Sequence, residues 1–406
     1  MSYYDSIKGY YDCIVIHYAE IGIKGKNRKY FEELLIKNIK SKLNDFISIA
    51  KRESGQITLY LKESLTGETF SAIREQLSLT PGIAYFSFAK RCPLNIDKIK
   101  HTINEILNLI NKNLQDNSKK DLQNKTFKID ARRANKNFSY NSMELNKLLG
   151  EFVIEKFKSK VSLKEPDIKI KVEVSNNVYI SIEDIKAIGG LPVNPKQKVV
   201  ALLSGGFDSP VASFLMMKRG VNVILVHFKN QNQVSASVEN KIIELGKRLS
   251  EFQPETKLYI VPFEKIQKEI IIKVHSTQRM LIYRKFMLRI ASKIAELNKA
   301  KFLVVGDSLS QVASQTLDNL KATYYKSPLP VLTPLIGLDK TEIIETAKQI
   351  GTYEISKLPY GDCCSYFLPK HPELKAHPYK LEQAMALFDI ENLVNNAVEN
   401  SKIIEF

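Results

Sequence analysis

The stretch KVVALLSGGFDSPVASFLMMKR, residues 198–219, changes character twice within a short span. An unbroken apolar run, Val199 to Leu203, has the pattern of a strand buried on both faces. It stops at Ser204-Gly205-Gly206-Phe207-Asp208-Ser209, and after Pro210 the apolar positions Val211, Phe214 and Leu215 take helical spacing. Strand, glycine loop, helix is an anion-binding arrangement. Paired glycines let backbone N–H groups converge, Pro210 suits a first helical position, and a helix N-terminus adds partial positive charge. The loop lacks the lysine of the G-x-x-x-x-G-K-[ST] nucleotide loop and is not G-x-G-x-x-G, so the usual kinase-like and dinucleotide readings fail. An ordinary Gly-Gly turn with a helix-capping Asp or Ser is the alternative.

Downstream, strands are expected at 222–228, 257–262 and 301–305, alternating with helices at 235–251, 263–273 and 278–298. That alternation implies a doubly wound parallel sheet whose ligand lies beyond the carboxyl ends of its strands. Val226-His227-Phe228 and Val305-Gly306-Asp307-Ser308 should therefore converge on the glycine loop. Asp339-Lys-Thr-Glu342 has the form of a capping box, with Gly351 as the stop of a helix over 340–350. Beyond it, Leu358 to Pro372 is a proline- and glycine-broken loop that contains Cys363 and Cys364, with Lys370 and His371 nearby and Asp362 adjacent. Basic neighbours activate a thiol and an adjacent carboxylate opposes it, so nucleophile and inert cysteine both stand.

Upstream, a strand at 12–18, a helix at 27–44, a hairpin of Phe46–Ala50 and Gln56–Leu61, a helix near 68–78 and a strand near 83–89 give the order β-α-β-β-α-β, which is ferredoxin-like. The connection 19–28 carries two glycines and the bases Lys24, Lys26 and Arg28, candidates for phosphate contact. A second α/β unit follows: helix 97–114, a polar loop at 115–125, strand 126–131, helix 142–158, and strands near 168–174 and 177–182. Its basic excess is local, with eleven Lys/Arg against five Asp/Glu over 119–160. Arg132, Arg133, Lys136, Phe138 and Tyr140 fall in one strand-to-helix loop, where guanidinium groups can grip phosphates and rings can stack on unpaired bases. A solvated basic face is the alternative. Ile185 to Lys198, rich in Gly and Pro, should link this part to the third domain.

The 406 residues are enough for two to four domains, and 60 Lys+Arg against 44 Asp+Glu give a net charge of +16, which favours a polyanionic partner. No run of about 18 apolar residues marks a membrane span, and Met1 to Tyr11 is too polar for a signal peptide, so a cytoplasmic protein is expected. The four cysteines include no C-x-x-C pair, which argues against a zinc site or a disulfide framework.

Ser204-Gly-Gly-Phe-Asp-Ser209 resembles the SGGxDS pyrophosphatase loop (PP-loop) of enzymes that split ATP into AMP and pyrophosphate while adenylating a substrate. Several further motifs occur in order: Ala19-Glu-Ile-Gly-Ile-Lys-Gly-Lys-Asn-Arg-Lys-Tyr-Phe31, Ala131-Arg-Arg-Ala-Asn-Lys-Asn-Phe138, Gly189-Gly-Leu-Pro-Val193, Tyr283-Arg-Lys-Phe-Met-Leu-Arg-Ile290, Gly306-Asp-Ser-Leu-Ser-Gln-Val-Ala-Ser-Gln-Thr316 and the Cys363-Cys364 loop. On these residues the chain resembles the ThiI family of tRNA 4-thiouridine synthases (tRNA sulfurtransferases). Phe207 stands where that family usually has isoleucine, and Asp307 where it often has glutamate.

The resemblance implies a multidomain α/β and α+β protein. Its parts would be a ferredoxin-like N-terminal domain over 1–92, a THUMP RNA-binding domain over 93–188, and a PP-loop ATP pyrophosphatase domain over 189–406. ATP and Mg²⁺ would be the cofactors. Nucleotide contacts are implied at Leu202, Leu203, Ser204, Gly205, Gly206, Asp208, Ser209, His227, Phe228, Arg284, Gly306 and Gln315, with Asp208 also placing Mg²⁺ and a sulfur-handling cysteine at Cys364 or Cys363. Implied partners are tRNA and a cysteine desulfurase as sulfur donor, with a homodimer left open. Uridine, implied at position 8, would be adenylated on its C4 oxygen before persulfide sulfur displaces AMP, and sulfur supply for thiamine thiazole synthesis is a second implied role. About thirty residues follow the cysteine loop, too few for the rhodanese domain that some members append. Another RNA-modifying adenylating PP-loop enzyme, or a non-catalytic THUMP RNA-binding protein, remains the alternative.

Overall fold

The computed structural model describes residues 7–18, 20–53, 55–118, 121–230, 236–358 and 372–406, which fall in two compact units, Met1–Pro192 and Val193–Phe406. In the first unit the strands are β1 (Cys13–His17), β2 (Ile47–Glu53), β3 (Gln56–Leu61), β4 (Tyr85–Cys92), β5 (Thr126–Arg133), β6 (Lys160–Val161), β7 (Ile168–Val174), β8 (Val178–Ser181) and β9 (Ile185–Lys186). They form one sheet in the order β2-β3-β1-β4-β8-β7-β5-β6, with β9 also on β4. The first four strands, with helices Arg28–Leu43 and Gly67–Ser78, make the ferredoxin-like motif. β4 is shared. One side pairs antiparallel with β1 along Tyr85–Ala89, and the other pairs with β8 through Lys90–Cys92 and with β9 through Tyr85–Phe86.

The apolar alternation in β1 and β4 points Ile14, Ile16, Phe86 and Phe88 into the main core, while Cys13, Val15 and Ala89 meet Tyr179 on the opposite face. Charge is buried beside them. Lys171 Nζ lies 3.0 Å from Asp184 Oδ1 and 3.4 Å from Glu173 Oε2, and His17 Nε2 is 3.0 Å from Glu173 Oε1. Burial disfavours a charged Glu173, but the His17 hydrogen bond and the charges of His17 and Lys171 outweigh it and hold the carboxyl below its usual range. Two expectations shift here. The helix expected at 97–114 runs Ile96–Ser118, into the polar loop, and Arg132 and Arg133 end β5 because it stays paired with β7 through Arg133↔Val174.

The second unit contains β10 (Asn194–Leu202), β11 (Val221–Lys229), β12 (Lys257–Pro262), β13 (Phe302–Val304), β14 (Val331–Leu332) and β15 (Lys402–Glu405), in the order β14-β13-β10-β11-β12-β15. All pairs are parallel except the edge pair β12–β15, so the doubly wound expectation gains one antiparallel edge strand. β10 begins inside the stretch expected to be linker, since Asn194 and Lys198 already pair with Val221 and Asn222. The chain winds from β10 to β11 and β12, then returns to β13 on the other side. That reversal opens a crevice past the carboxyl ends of β10 and β13. Helix Arg279–Asn298 covers the sheet, burying Leu281, Ile282, Tyr283, Phe286 and Ile290, with helix Ile390–Glu399 packed against it.

Candidate active site

The glycine loop leaves β10 and turns directly into helix Asp208–Lys218. Pro210 is the third helical residue rather than the first, still within the turn whose N–H groups have no intrahelical partner. Ser209 closes the loop on itself: Ser204 N donates to Ser209 Oγ at 2.8 Å, and the two hydroxyls lie 3.0 Å apart. Gly306, after β13, presses on this turn. A Cβ at Gly306 would stand 2.8 Å from Ser209 N and 3.0 Å from the carbonyl carbon of Asp208. His227, at the end of β11, donates from Nδ1 to the Leu203 carbonyl at 2.9 Å. Asp208 meets Lys340 Nζ through Oδ1 at 2.6 Å and Gln311 Nε2 through Oδ2 at 3.0 Å.

These elements border a cavity of about 410 Å³. Leu202, Leu203, Ser204, Asp208, Ser209, His227, Phe228, Arg284, Gly306 and Gln315 all line it; Gly205 and Gly206 are not among its lining residues. The polar end is the loop. Met280, Leu281, Met287 and Leu288, from one face of helix Arg279–Asn298, add an apolar wall that suits the flat face of a base. Asp307 also lines the cavity and accepts from Arg284, from the Tyr324 hydroxyl and, at 3.0 Å, from Gln315 Nε2. Nothing in the sequence singles out Lys340, Gln311, Tyr324 or the methionines. The helical spacing of Met280, Met287 and Leu288 is visible there, but identical to that of core residues.

Cys363 and Cys364, like Lys370 and His371, lie outside the described residues. The chain on one side of them is held against the glycine loop and on the other lines the cavity. Buried Lys241 donates to the carbonyls of Ser356 at 2.9 Å and Leu358 at 2.7 Å, and Ser356 Oγ donates to the carbonyl of loop residue Gly206 at 3.1 Å. On the other side, Pro372 and Glu373 line the cavity, and the wholly buried Asn319 donates to the Glu373 carbonyl at 2.7 Å. The remaining cysteines are buried. Burial pushes the Cys92 thiol up to about 11 and raises Cys13 well above its ordinary value, so neither is a ready nucleophile.

In the first unit the basic candidates divide. Lys26 is exposed on a 3₁₀ turn, and Lys24 rests over the Phe31 ring, 5.3 Å from its centroid. Arg28 is engaged within the protein, at 2.9 Å from Glu32 Oε1 and 2.6 Å from the Tyr18 hydroxyl. Arg132 is exposed, with Nη1 3.3 Å from the Tyr85 hydroxyl, and Lys136 is exposed in the following turn. Arg133 instead braces that turn through the Phe138 carbonyl at 3.1 Å, and the Phe138 ring is half-buried against the core and Tyr140.

Comparison with known proteins agrees along the chain. Residues 13–87 match the family described as "ThiI ferredoxin-like domain", residues 95–183 the "THUMP domain", and residues 195–390 "Thiamine biosynthesis protein (ThiI)". A "Probable tRNA sulfurtransferase" of Thermoanaerobacter sp. (strain X514) is 39% identical over 96% of this chain and 98% of its own length. Another of that description, from Bacillus licheniformis, is 40% identical over 97% and 95%. Among solved structures, a 4-thiouridine synthetase in complex with RNA and bound ATP is 36% identical, covers 98% of this chain and 100% of its own, and superposes with a TM-score of 0.84. PH1313 from Pyrococcus horikoshii, 24% identical with a TM-score of 0.64 over 84% of this chain and 99% of its own, shares the fold.

Proposed function

This chain belongs to the ThiI family of tRNA sulfurtransferases and makes 4-thiouridine in tRNA, and from that premise we propose that the cavity of the second unit is where ATP adenylates the uridine. The observation that carries this is the cavity wall itself, which joins the glycine loop, the polar Arg284 and Gln315, and the methionines and leucines of helix Arg279–Asn298. Those surfaces suit triphosphate, ribose and base. The uridine C4 oxygen attacks the α-phosphorus, the bond to the β-phosphate breaks, and pyrophosphate leaves into the loop as the N3 proton is lost. Loop amides and the helix N-terminus hold the departing charge.

Mg²⁺ belongs to the same proposal. Among the described residues no group of three His, Cys, Asp or Glu could hold a metal alone, so Asp208 would share the ion with phosphate oxygens and water, as Mg²⁺ usually requires. The residues fit: Lys340 already places a cation on Asp208 Oδ1. When bound, the ion would neutralise phosphate charge.

For the second step, the persulfide sulfur of Cys364 or Cys363, charged by a cysteine desulfurase, attacks C4 and expels AMP. A further thiol then attacks the cysteine sulfur, leaves the thiocarbonyl on the base and forms a disulfide that a thiol reductant reopens; N3 regains its proton. What supports a cysteine here is that one end of the stretch bearing it is tied to the glycine loop through Ser356 and Gly206, and the other lines the cavity at Pro372 and Glu373, where Asn319 holds it. The proposal includes the division at 1–92, 93–188 and 189–406, tRNA gripped by Lys24, Lys26, Arg132 and Lys136 at uridine 8, and action in the cytoplasm. No helix of the described residues is long and apolar enough to cross a membrane. A thiamine role rests on the family's name alone.

The test separates the two steps. Asp208→Ala should abolish tRNA-dependent pyrophosphate release and leave tRNA binding intact. Cys364→Ser should release pyrophosphate yet form no 4-thiouridine on mercury-affinity gels, with Cys363→Ser milder. Full thiolation by the Cys363→Ser/Cys364→Ser double variant would sink cysteine-borne sulfur and favour attack by free sulfide.

A further inference from the structure

Asp307 takes no part in the chemistry proposed above, yet its carboxylate is the hub of a polar cluster that lines the cavity. It is 6% exposed and accepts from three side chains of different kinds: the Arg284 guanidinium, the Tyr324 phenol and the Gln315 amide. The consequence for Gln315 is specific. A primary amide has one donor end and one acceptor end, and Gln315 spends its donor end, Nε2, on Asp307 Oδ1 at 3.0 Å. Turning the amide over would set two oxygens against each other, one of them charged. Gln315 Oε1 is therefore committed as an acceptor; it is buried, has no hydrogen-bond partner among the described residues, and belongs to a residue that lines the cavity. A buried acceptor left in that condition is a demand for a donor.

Arg284 is fixed by the same hub. One terminal nitrogen pairs with Asp307, the other donates to the Ser314 carbonyl at 3.2 Å, and its side chain remains 15% exposed toward the cavity it lines. Tyr324 secures the third side, its phenol kept protonated by burial and by the Asp307 charge.

We infer that Asp307 is a positioning residue that sets the polarity of the nucleotide site, orienting Gln315 so that its oxygen accepts from a donor of ATP, either a ribose hydroxyl or the 6-amino group. The inference rests on the reading that ATP occupies this cavity. It explains what a hydrogen-bonded carboxylate is doing beside a polyanion: it is spent on orienting two donors, and through one of them it presents an acceptor. Nucleotides lacking the matching donor are rejected because they leave Oε1 buried and unsatisfied.

The experiment measures tRNA-dependent pyrophosphate release with ATP and with three analogues that each lack one donor: purine riboside triphosphate, 2′-deoxyATP and 3′-deoxyATP. Wild type should use one of them with kcat/KM reduced about tenfold or more, which identifies the donor. Gln315→Met, which keeps the volume and removes the acceptor, should use ATP and that analogue within about threefold of each other. Asp307→Asn frees the amide; it should raise KM for ATP about tenfold with kcat within about threefold, and narrow the same preference. Asp307→Glu, which keeps the charge, should recover most of the KM and of the preference. Equal use of all four nucleotides by wild type overturns the acceptor role. Wild-type KM and preference in Asp307→Asn overturn the positioning role, as does a joint fall of kcat and melting temperature that Asp307→Glu does not relieve. Calorimetry of wild type with ATP separates the underlying reading: absence of binding would remove the site itself, whereas binding with an unaltered Asp307→Asn removes only this inference.

Discussion

Gly306 has no side chain, and that is its contribution. The positions a Cβ would take are occupied by backbone atoms of Ser209 and Asp208, which cannot swing aside as a flexible side chain would. Gly306→Ala should therefore displace the phosphate loop by a few tenths of an ångström or more while β13 stays paired. We expect pyrophosphate release to fall about 100-fold, the scale of loss that follows a displaced reacting group, with an unchanged circular dichroism spectrum. Release within about threefold of wild type would show that the loop tolerates the shift. At this scale the sequence is informative where chemistry is local. Ser204 to Ser209 announce an anion site because glycines, hydroxyls and a helix start are consecutive. Lys340 is hidden: in the sequence it is the first residue of a capped helix, and only the fold brings its ammonium 132 positions back to Asp208. Arg133 and Phe138 show the same limit. Their spacing places them in a basic stretch with RNA-contact chemistry, and only the fold shows the guanidinium bracing the turn and the ring half-buried against the core.

A seam of buried side-chain charge links the end of β1 to β7, with β4 and β8 between them in the sheet order. Lys171 and Glu173 have side chains only 2% and 7% exposed, and Asp184 and His17 complete their pairing. Removing one member strands the others. Lys171→Met should destabilise the first unit by about 3–5 kcal/mol, read as a drop in the urea midpoint, because Glu173 and Asp184 would face each other with their central cation gone. A loss under about 1 kcal/mol would mean that water enters the seam and screens it. The elements that carry such pairs are mostly legible. Strand alternation and the Asp339–Glu342 capping box are local signals, and the box forms as expected, Asp339 accepting from Glu342 N. β15 is not legible, since four exposed or half-exposed residues become a strand only by pairing with β12, more than a hundred residues earlier. The extra turn of helix before Ser118 and the early start of β10 reflect the same competition: polar and proline-rich segments favour loops, and tertiary pairing or helix continuation overrides that preference.

At the scale of the whole molecule, +16 charges favour any polyanion, and only salt dependence tells a docked phosphate from a general attraction. Arg132→Ala should lower the log–log salt slope of tRNA binding by about 0.7–0.9 for each phosphate that its guanidinium neutralises, measured by filter binding across a salt series. Arg133→Ala should weaken binding with little change in slope, because it removes a brace of the turn rather than a phosphate contact. An unchanged slope for Arg132→Ala would assign that residue to the solvated surface. Order of synthesis gives the shared strand β4 a further meaning. The ferredoxin-like strands are complete in sequence at Cys92, but the outer side of β4 is matched only by residues of β8 and β9, at 178–186. A nascent chain paused anywhere between these points carries, besides the permanent edge at β2, a second bare edge at β4, the kind of template on which neighbouring chains can pair. Chains ended within residues 93–177 should therefore self-associate more than the full chain, measured by sedimentation, because their β4 edge has no partner strand.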